Sequence, residues 1–289
     1  MKIKNNANPF NLEATLCCGQ VFRWEKRDDW WYGVVRDKVF KIRQRDTELE
    51  FVNADEEFVK NYFGLHDDLQ AIAEQIGKDK QIKKALDKYW GLRIVRQDPW
   101  ECFISYICAT YKGIAAIKRM LLELSQKFGE KMTFDGYTFF AFPLPEKLAK
   151  ARLADLSECG LGYRARYVSE TAKTIYENNF DLERLRKLTY EKARKELIKF
   201  LGVGLKVADC VLLFSLGKFE AFPVDVWVKR AILEYYAEHF PVDFINKVLN
   251  QESLSNSEYE KLSAFGRNYF GEYAGYAQEY LYHHERMQH

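Results

Sequence analysis

The sequence predicts an α+β protein: an N-terminal antiparallel β-sheet unit with helices over residues 1–95, then a larger all-helical region over 96–289. Two observations carry this. Up to about residue 50, short β-branched or aromatic runs alternate with polar turns. Beyond about residue 80, apolar residues recur at helical spacing to the end of the chain.

In order, "GQVFRW", "WWYGVV", "KVFKIRQ" and "LEFV" read as strands, with "EKRDD" and "RDK" as turns between them. An antiparallel meander of this kind needs a helix against one face, and "EEFVKNYF" and "DLQAIAEQI" are placed to supply it. "QDPWECFISYICATY" opens a helix, with Asp98, Pro99 and Glu101 at the N-cap, N1 and N3 positions. Helices then follow one another from "GIAAIKRMLLELSQKFG" to "AGYAQEYLYHHERM", with no repeat of fixed period.

Composition bounds the function. Hydrophobic residues make up 47% and aromatic residues 16%, so a chain of this length buries sizeable cores. Aromatic rings fill cores, and they also stack on bases. The net charge of +2 neither supports nor excludes nucleic acid, because a local basic face decides that. Six cysteines without a CxxC pair read as reduced thiols. No apolar run approaches a membrane span, and "MKIKNNANPFNLEATL" lacks the apolar run of a signal peptide. The expectation is a cytoplasmic protein with no membrane partner and no metal site.

The most informative stretch is "LGVGLKVADC", Leu201 to Cys210. It lies between two helical patterns, "YEKARKELIKF" and "VADCVLLFSLG", and leaves room only for a tight αα-hairpin spanning about 190–216. Gly202 and Gly204 allow positive φ and leave no side chain in the way of a ligand. The second helix offers its first N–H groups to an anion. Lys192, Arg194, Lys195, Lys199 and Lys206 face Glu196 alone, which suits a phosphate backbone contacted without regard to sequence. The plainer alternatives are a helix corner, where glycine is common, and a solvated Lys206. Asp225, ahead of "VWVKRAILEYY", reads first as an N-cap.

"LGVGLKVADCVLLF" followed by "FPVDVWVKRA" resembles the helix-hairpin-helix and Gly/Pro…Asp signature of a DNA glycosylase superfamily. Leu201 stands where that family often has proline. Cleaving an N-glycosidic bond builds positive charge on the sugar, which a carboxylate stabilises and an amine can trap. The resemblance implies that Lys206 attacks the sugar as a Schiff-base nucleophile and that Asp225 stabilises the charge. That makes a bifunctional glycosylase with β-elimination (AP lyase) activity.

Further stretches resemble the 8-oxoguanine DNA glycosylases of the eukaryotic type. "CGQVFRW" is similar to their glycine loop, in which the Gly19 carbonyl would accept the N7–H that 8-oxoguanine has and guanine lacks. "AGYAQEYLY" is similar to their pocket-closing helix (273–287), with Gln278 on the Watson–Crick edge and Tyr282, in place of the usual phenylalanine, stacked on the base. Cys210 and Phe214 would form the other wall. In "GLGYRARYV", Tyr163 would press into the base stack and Arg164 would reach for the opposite strand. Gly202, Gly204 and Val207 would meet DNA, as would Trp227, which replaces a family histidine.

Tyr111 and Ala116 depart from the asparagine and arginine that read the orphaned cytosine, which implies relaxed opposite-base discrimination. The cysteines of an iron–sulfur cluster are missing. The resemblance implies a bacterial monomer acting on double-stranded DNA that contains 8-oxoguanine, with no required cofactor, although hairpins of this kind can hold a monovalent cation on their carbonyls. The rival readings are a monofunctional alkylated-base glycosylase, which usually lacks the hairpin lysine, and a non-catalytic DNA-binding module.

Overall fold

Two cores organise the chain in the computed structural model, which describes residues 1–4 and 9–288. The first lies under a five-stranded antiparallel sheet of order β1-β5-β4-β3-β2. Its strands are β1 (Lys2–Lys4), β2 (Trp24–Arg27), β3 (Trp30–Val35), β4 (Lys38–Arg45) and β5 (Glu48–Val52). Trp24, Phe40, Ile42, Leu49 and Phe51 line its inner face, against α1 (Leu12–Cys17) and α2 (Glu56–Tyr62). Trp24 Nε1 donates to the Tyr62 hydroxyl at 2.9 Å across this interface.

Three features differ from the sequence expectation here. "GQVFRW" contributes only Trp24 to a strand, because Gly19 takes φ +107 and breaks the extended path. "EKRDD" is a turn only at Asp28–Asp29, since Glu25 to Arg27 pair with β3. The helix α1, capped by Asn11 through a 2.9 Å bond to the Ala14 N–H, interrupts a region read wholly as strands.

The second core is helical and contains the buried faces of α3 (Leu69–Ile76) and α4 (Lys80–Lys88). Of the two helices expected against the sheet, only α2 covers it. Leu69, Ile72 and Ile76 of α3 join the helical core instead. The chain continues through α5 (Pro99–Cys108), α6 (Ile114–Phe128), the hairpin β6 (Lys131–Phe134) and β7 (Tyr137–Phe140), α7 (Pro145–Ala149) and α8 (Leu153–Leu156). Then come α9 (Arg164–Glu177), α10 (Tyr190–Ile198), α11 (Leu205–Leu216), α12 (Val226–Tyr235), α13 (Val242–Leu249), α14 (Asn256–Phe270) and α15 (Ala274–Arg286).

The β6–β7 hairpin lies inside the stretch expected to be all helical. Its Asp135-Gly136 turn, with φ of +54 and +77, is the local signal for it. Phe139 packs with Tyr32, Val34 and Val39 on the outer face of the main sheet, so β3 is covered on both sides.

The helix starts predicted from capping are present. Asp98 Oδ1 accepts from the Trp100 and Glu101 N–H groups at 3.1 and 3.0 Å, with Pro99 at the first helical position. Residues 207–216 of α11 are all buried, so this helix is the axle of the second core. It packs against α5, α10 and α14. Its N-terminus is thereby fixed, and Lys206 with it. No helix is long and apolar enough to cross a membrane among the described residues.

Candidate active site

The hairpin places Lys206 second in the first turn of α11, after the cap Gly204 and Leu205. The two glycines do different things. Gly202 has φ +78, and a Cβ there would lie 2.3 Å from the Tyr167 ring. Gly204 has φ −89, an ordinary value, and its Cβ would meet nothing within 4 Å. Positive φ is therefore needed only at Gly202, whereas Gly204 leaves open space at the helix start. Lys192, Lys195 and Lys199 are exposed around the hairpin. Arg194, expected among these basic flanks, is instead buried. It pairs with Asp209 at 2.9 Å and Glu260 at 2.7 Å, because a charged residue inside α11 needs a partner.

Asp225 caps α12. Its Oδ1 accepts from the Trp227 and Val228 N–H groups at 3.0 and 2.9 Å, so both cap bonds fall on one oxygen. Burial raises the carboxyl's pKa above the ordinary value, and Lys206 and the cap N–H groups pull it back.

Lys206 and Asp225 line one cavity of about 90 Å³. Gly19, Cys210, Phe214, Gln278 and Tyr282 line it too, so seven residues singled out in four stretches of sequence meet in one place. Gly19 is held there by its neighbour. The buried Gln20 side chain donates to the Arg93 carbonyl at 2.8 Å and accepts the Val95 N–H at 2.7 Å. A Cβ on Gly19 would approach the Tyr282 hydroxyl to 3.1 Å and an Arg286 nitrogen to 3.2 Å. Arg286 in turn donates to the Cys17 carbonyl at 2.5 Å, tying α15 to this loop. Burial pushes the Cys210 thiol up to about 12, so it remains a neutral wall.

Several lining residues carried no functional reading in the sequence, Tyr106, Phe22 and Glu279 among them. Tyr106 stacks on Phe214 with centroids 5.5 Å apart, and the Lys206 nitrogen sits 5.4 Å from the Tyr106 ring centre. Phe22 and Glu279 add to the wall, and Lys112 lies at it as well. Tyr106 was readable as the aromatic in "ECFISYICA" on the inward face of α5. Glu279 carried no signal, because a glutamate beside Gln278 reads as a solvated face.

The outer residues lie as follows. Tyr163 is 54% exposed, beyond Gly160 and Gly162, which both have positive φ. Arg164 does not project. It is 4% exposed and donates through Nε to the Thr110 carbonyl at 3.1 Å, with Leu161 O and the Tyr163 ring also in contact. Its guanidinium thus braces the Thr110–Tyr111 loop rather than reaching outward. Tyr111, at φ +53, is 80% exposed, and Ala116 is exposed nearby. Trp227 is half-buried. Val207, expected to meet DNA, is buried at 4% exposure inside the hairpin. Among the described residues no group of His, Cys, Asp and Glu could hold a metal ion.

Residues 2–103 match the model of the 8-oxoguanine DNA glycosylase N-terminal domain, and residues 104–240 match that of the HhH-GPD superfamily base excision DNA repair proteins. The chain is 34% identical to a probable N-glycosylase/DNA lyase of Methanothermobacter thermautotrophicus over 72% of this chain and 68% of that one. It is 31% identical to an N-glycosylase/DNA lyase of Saccharomyces cerevisiae over 97% and 85%. It superimposes with a TM-score of 0.87 on the Clostridium acetobutylicum 8-oxoguanine glycosylase/lyase, solved with duplex DNA bearing cytosine opposite 8-oxoG. There the identity is 34%, and 99% of this chain and 93% of that one are covered.

Proposed function

We infer the function from the family: the chain belongs to the HhH-GPD superfamily of base excision DNA repair proteins and carries the N-terminal domain of 8-oxoguanine DNA glycosylases. It excises 8-oxoguanine from duplex DNA and cleaves the strand at the resulting abasic site. The observation that carries this reading is the convergence of Lys206, Asp225, Gly19, Gln278 and Tyr282 on one cavity.

The chemistry follows from that arrangement. The duplex lies on the hairpin, with phosphate oxygens at the open start of α11 near Gly204. Tyr163 enters the stack as the damaged nucleotide leaves it. The base enters beside Cys210 and Phe214 and under Tyr282. Gln278 and the Gly19 carbonyl hydrogen-bond its edges.

Lys206 Nζ bonds to C1′ as the C1′–N9 bond breaks, and the electron pair departs with the base, which takes up a proton. Asp225 offsets the positive charge that builds on the sugar. The amine's proton goes to O4′ as the C1′–O4′ bond breaks, leaving an imine. A base then takes a C2′ proton, its electron pair forms the C2′–C3′ double bond, and the C3′–O bond breaks with its pair leaving on the 3′ phosphate. A monovalent cation, were one bound, would be held by the hairpin backbone carbonyls and would add positive charge where the phosphates lie.

The opposite-base face supports relaxed discrimination, because Tyr111 is exposed, Ala116 has no polar group and Arg164 is committed to Thr110. The test is release of free 8-oxoguanine from duplexes pairing it with C, A, G or T under single turnover. Release from all four with modest differences supports the reading. No release contradicts the function, and a preference for C of several hundredfold contradicts the relaxed pairing.

A further inference from the structure

The base cavity contains an acidic residue that the mechanism above does not use. Glu279 lines it, is 2% exposed, and has no hydrogen-bond partner on Oε1. Gln278, the residue before it, has an unpaired Oε1 as well at 4% exposure. A buried acceptor without a donor is destabilising, and two in one cavity call for a ligand that brings donors. Consecutive residues on a helix point about 100° apart, so the two oxygens address different sides of whatever fills the space. Glu279 lies beside the Cys18 thiol, one residue before Gly19.

We propose that Glu279 is a second base-reading residue, accepting a hydrogen bond from an N–H of the flipped purine on the Gly19 side while Gln278 takes the other. This rests on the glycosylase reading above and deepens it. A base with N–H donors on two edges satisfies both oxygens. 8-Oxoguanine has them at N1, N2 and N7, and Glu279 shares the N7–H, which guanine lacks, with the Gly19 carbonyl in a three-centre hydrogen bond. An adenine edge alternates donor and acceptor and leaves one of the oxygens unpaired.

The surroundings fit an acceptor whose charge responds to the ligand. Burial pushes Glu279 up to about 7, the Asp225 charge pushes the same way, and Cys18 and Arg286 pull it down. Tyr106 from α5, Cys210 from α11 and Tyr282 from α15 face it as neutral groups whose own ionisation burial suppresses. Lys206 and Lys112 are the cationic groups of the same cavity. A base that donates N–H favours the ionised carboxylate, so base reading strengthens as pH rises through neutrality.

The experiment compares the full-length protein with Glu279→Gln and Glu279→Ala. It measures single-turnover release of 8-oxoguanine from pH 5.5 to 8.5, strand cleavage at a preformed abasic site, and melting temperature. The expected result is a release rate that rises with pH near 7 in the parent and loses that inflection in Glu279→Gln. Release falls at least tenfold in Glu279→Ala, by a factor at least ten times larger than any fall in abasic-site cleavage, where no base fills the cavity. Parent-like rates and pH profiles in both variants overturn the proposal. Equal losses of both activities with a lowered melting temperature overturn it too, because they mark a structural role. A parent protein that releases no 8-oxoguanine at any pH defeats the glycosylase reading itself, and this inference falls with it.

Discussion

The Tyr259 hydroxyl donates to Asp209 Oδ2 at 2.7 Å and accepts the Val224 N–H at 3.3 Å. One side chain of α14 thereby joins the helix that carries Lys206 to the loop that carries Asp225. Asp209 is fully buried and also takes the Tyr190 hydroxyl at 2.8 Å and the Arg194 guanidinium. The spacing of nucleophile and carboxylate therefore rests on a buried polar network behind the cavity. Tyr259→Phe removes a donor from a buried carboxylate, and a loss of about 1–3 kcal/mol in urea unfolding is expected. Excision should slow while duplex affinity changes little.

Asp225 serves as cap and as charge, and the two roles separate in Asp225→Asn. Asparagine caps as well as aspartate, so the melting temperature should hold. Loss of the charge should slow single-turnover excision by about 100- to 1,000-fold. A rate within tenfold of the parent would remove Asp225 from the chemistry.

The hairpin glycines give opposite outcomes. Gly202→Ala forces a non-glycine residue into φ +78 and a methyl into the Tyr167 ring, so it should destabilise by about 2 kcal/mol or more. Gly204→Ala has room and an ordinary φ. It should leave stability within about 0.5 kcal/mol and weaken duplex binding, read by fluorescence anisotropy at fixed salt.

Glu279 makes stability depend on pH in a stated direction. Its folded value of about 7 exceeds the ordinary 4.5. Between those values the native state holds more protons than the unfolded one, so stability falls as pH rises through the window. The full effect is on the order of 3 kcal/mol. Glutamine has no proton to lose, so the stability of Glu279→Gln relative to the parent should climb between pH 4.5 and 7 in denaturant titrations, then level off.

The sequence made the site more legible than its surroundings. Local pattern gave the places of Asp225, Lys206 and the Gln278/Tyr282 pair as cap, first turn and one helical face, but their functional reading came from the resemblance of whole stretches. The strand-to-helix order was also readable. Arg164 and Arg194 were not, because a basic residue near a DNA-binding loop reads as surface charge. Only the fold reveals the Thr110 carbonyl and the Asp209 carboxylate that bury them. The packing of α3 against the helical core was hidden for a similar reason, since an amphipathic stripe does not name its partner. The β6–β7 hairpin did carry a signal, "FDGY", which the helical pattern on both sides masked.

Borohydride trapping reads out the covalent bond between Lys206 and the sugar. The protein is mixed with a duplex carrying 8-oxoguanine, reduced, and resolved on a denaturing gel. The expected result is a protein–DNA adduct that vanishes in Lys206→Gln while that variant still binds the duplex, which shows Lys206 as the nucleophile. An adduct that persists in Lys206→Gln, or excision by the parent with nothing trapped, would contradict it.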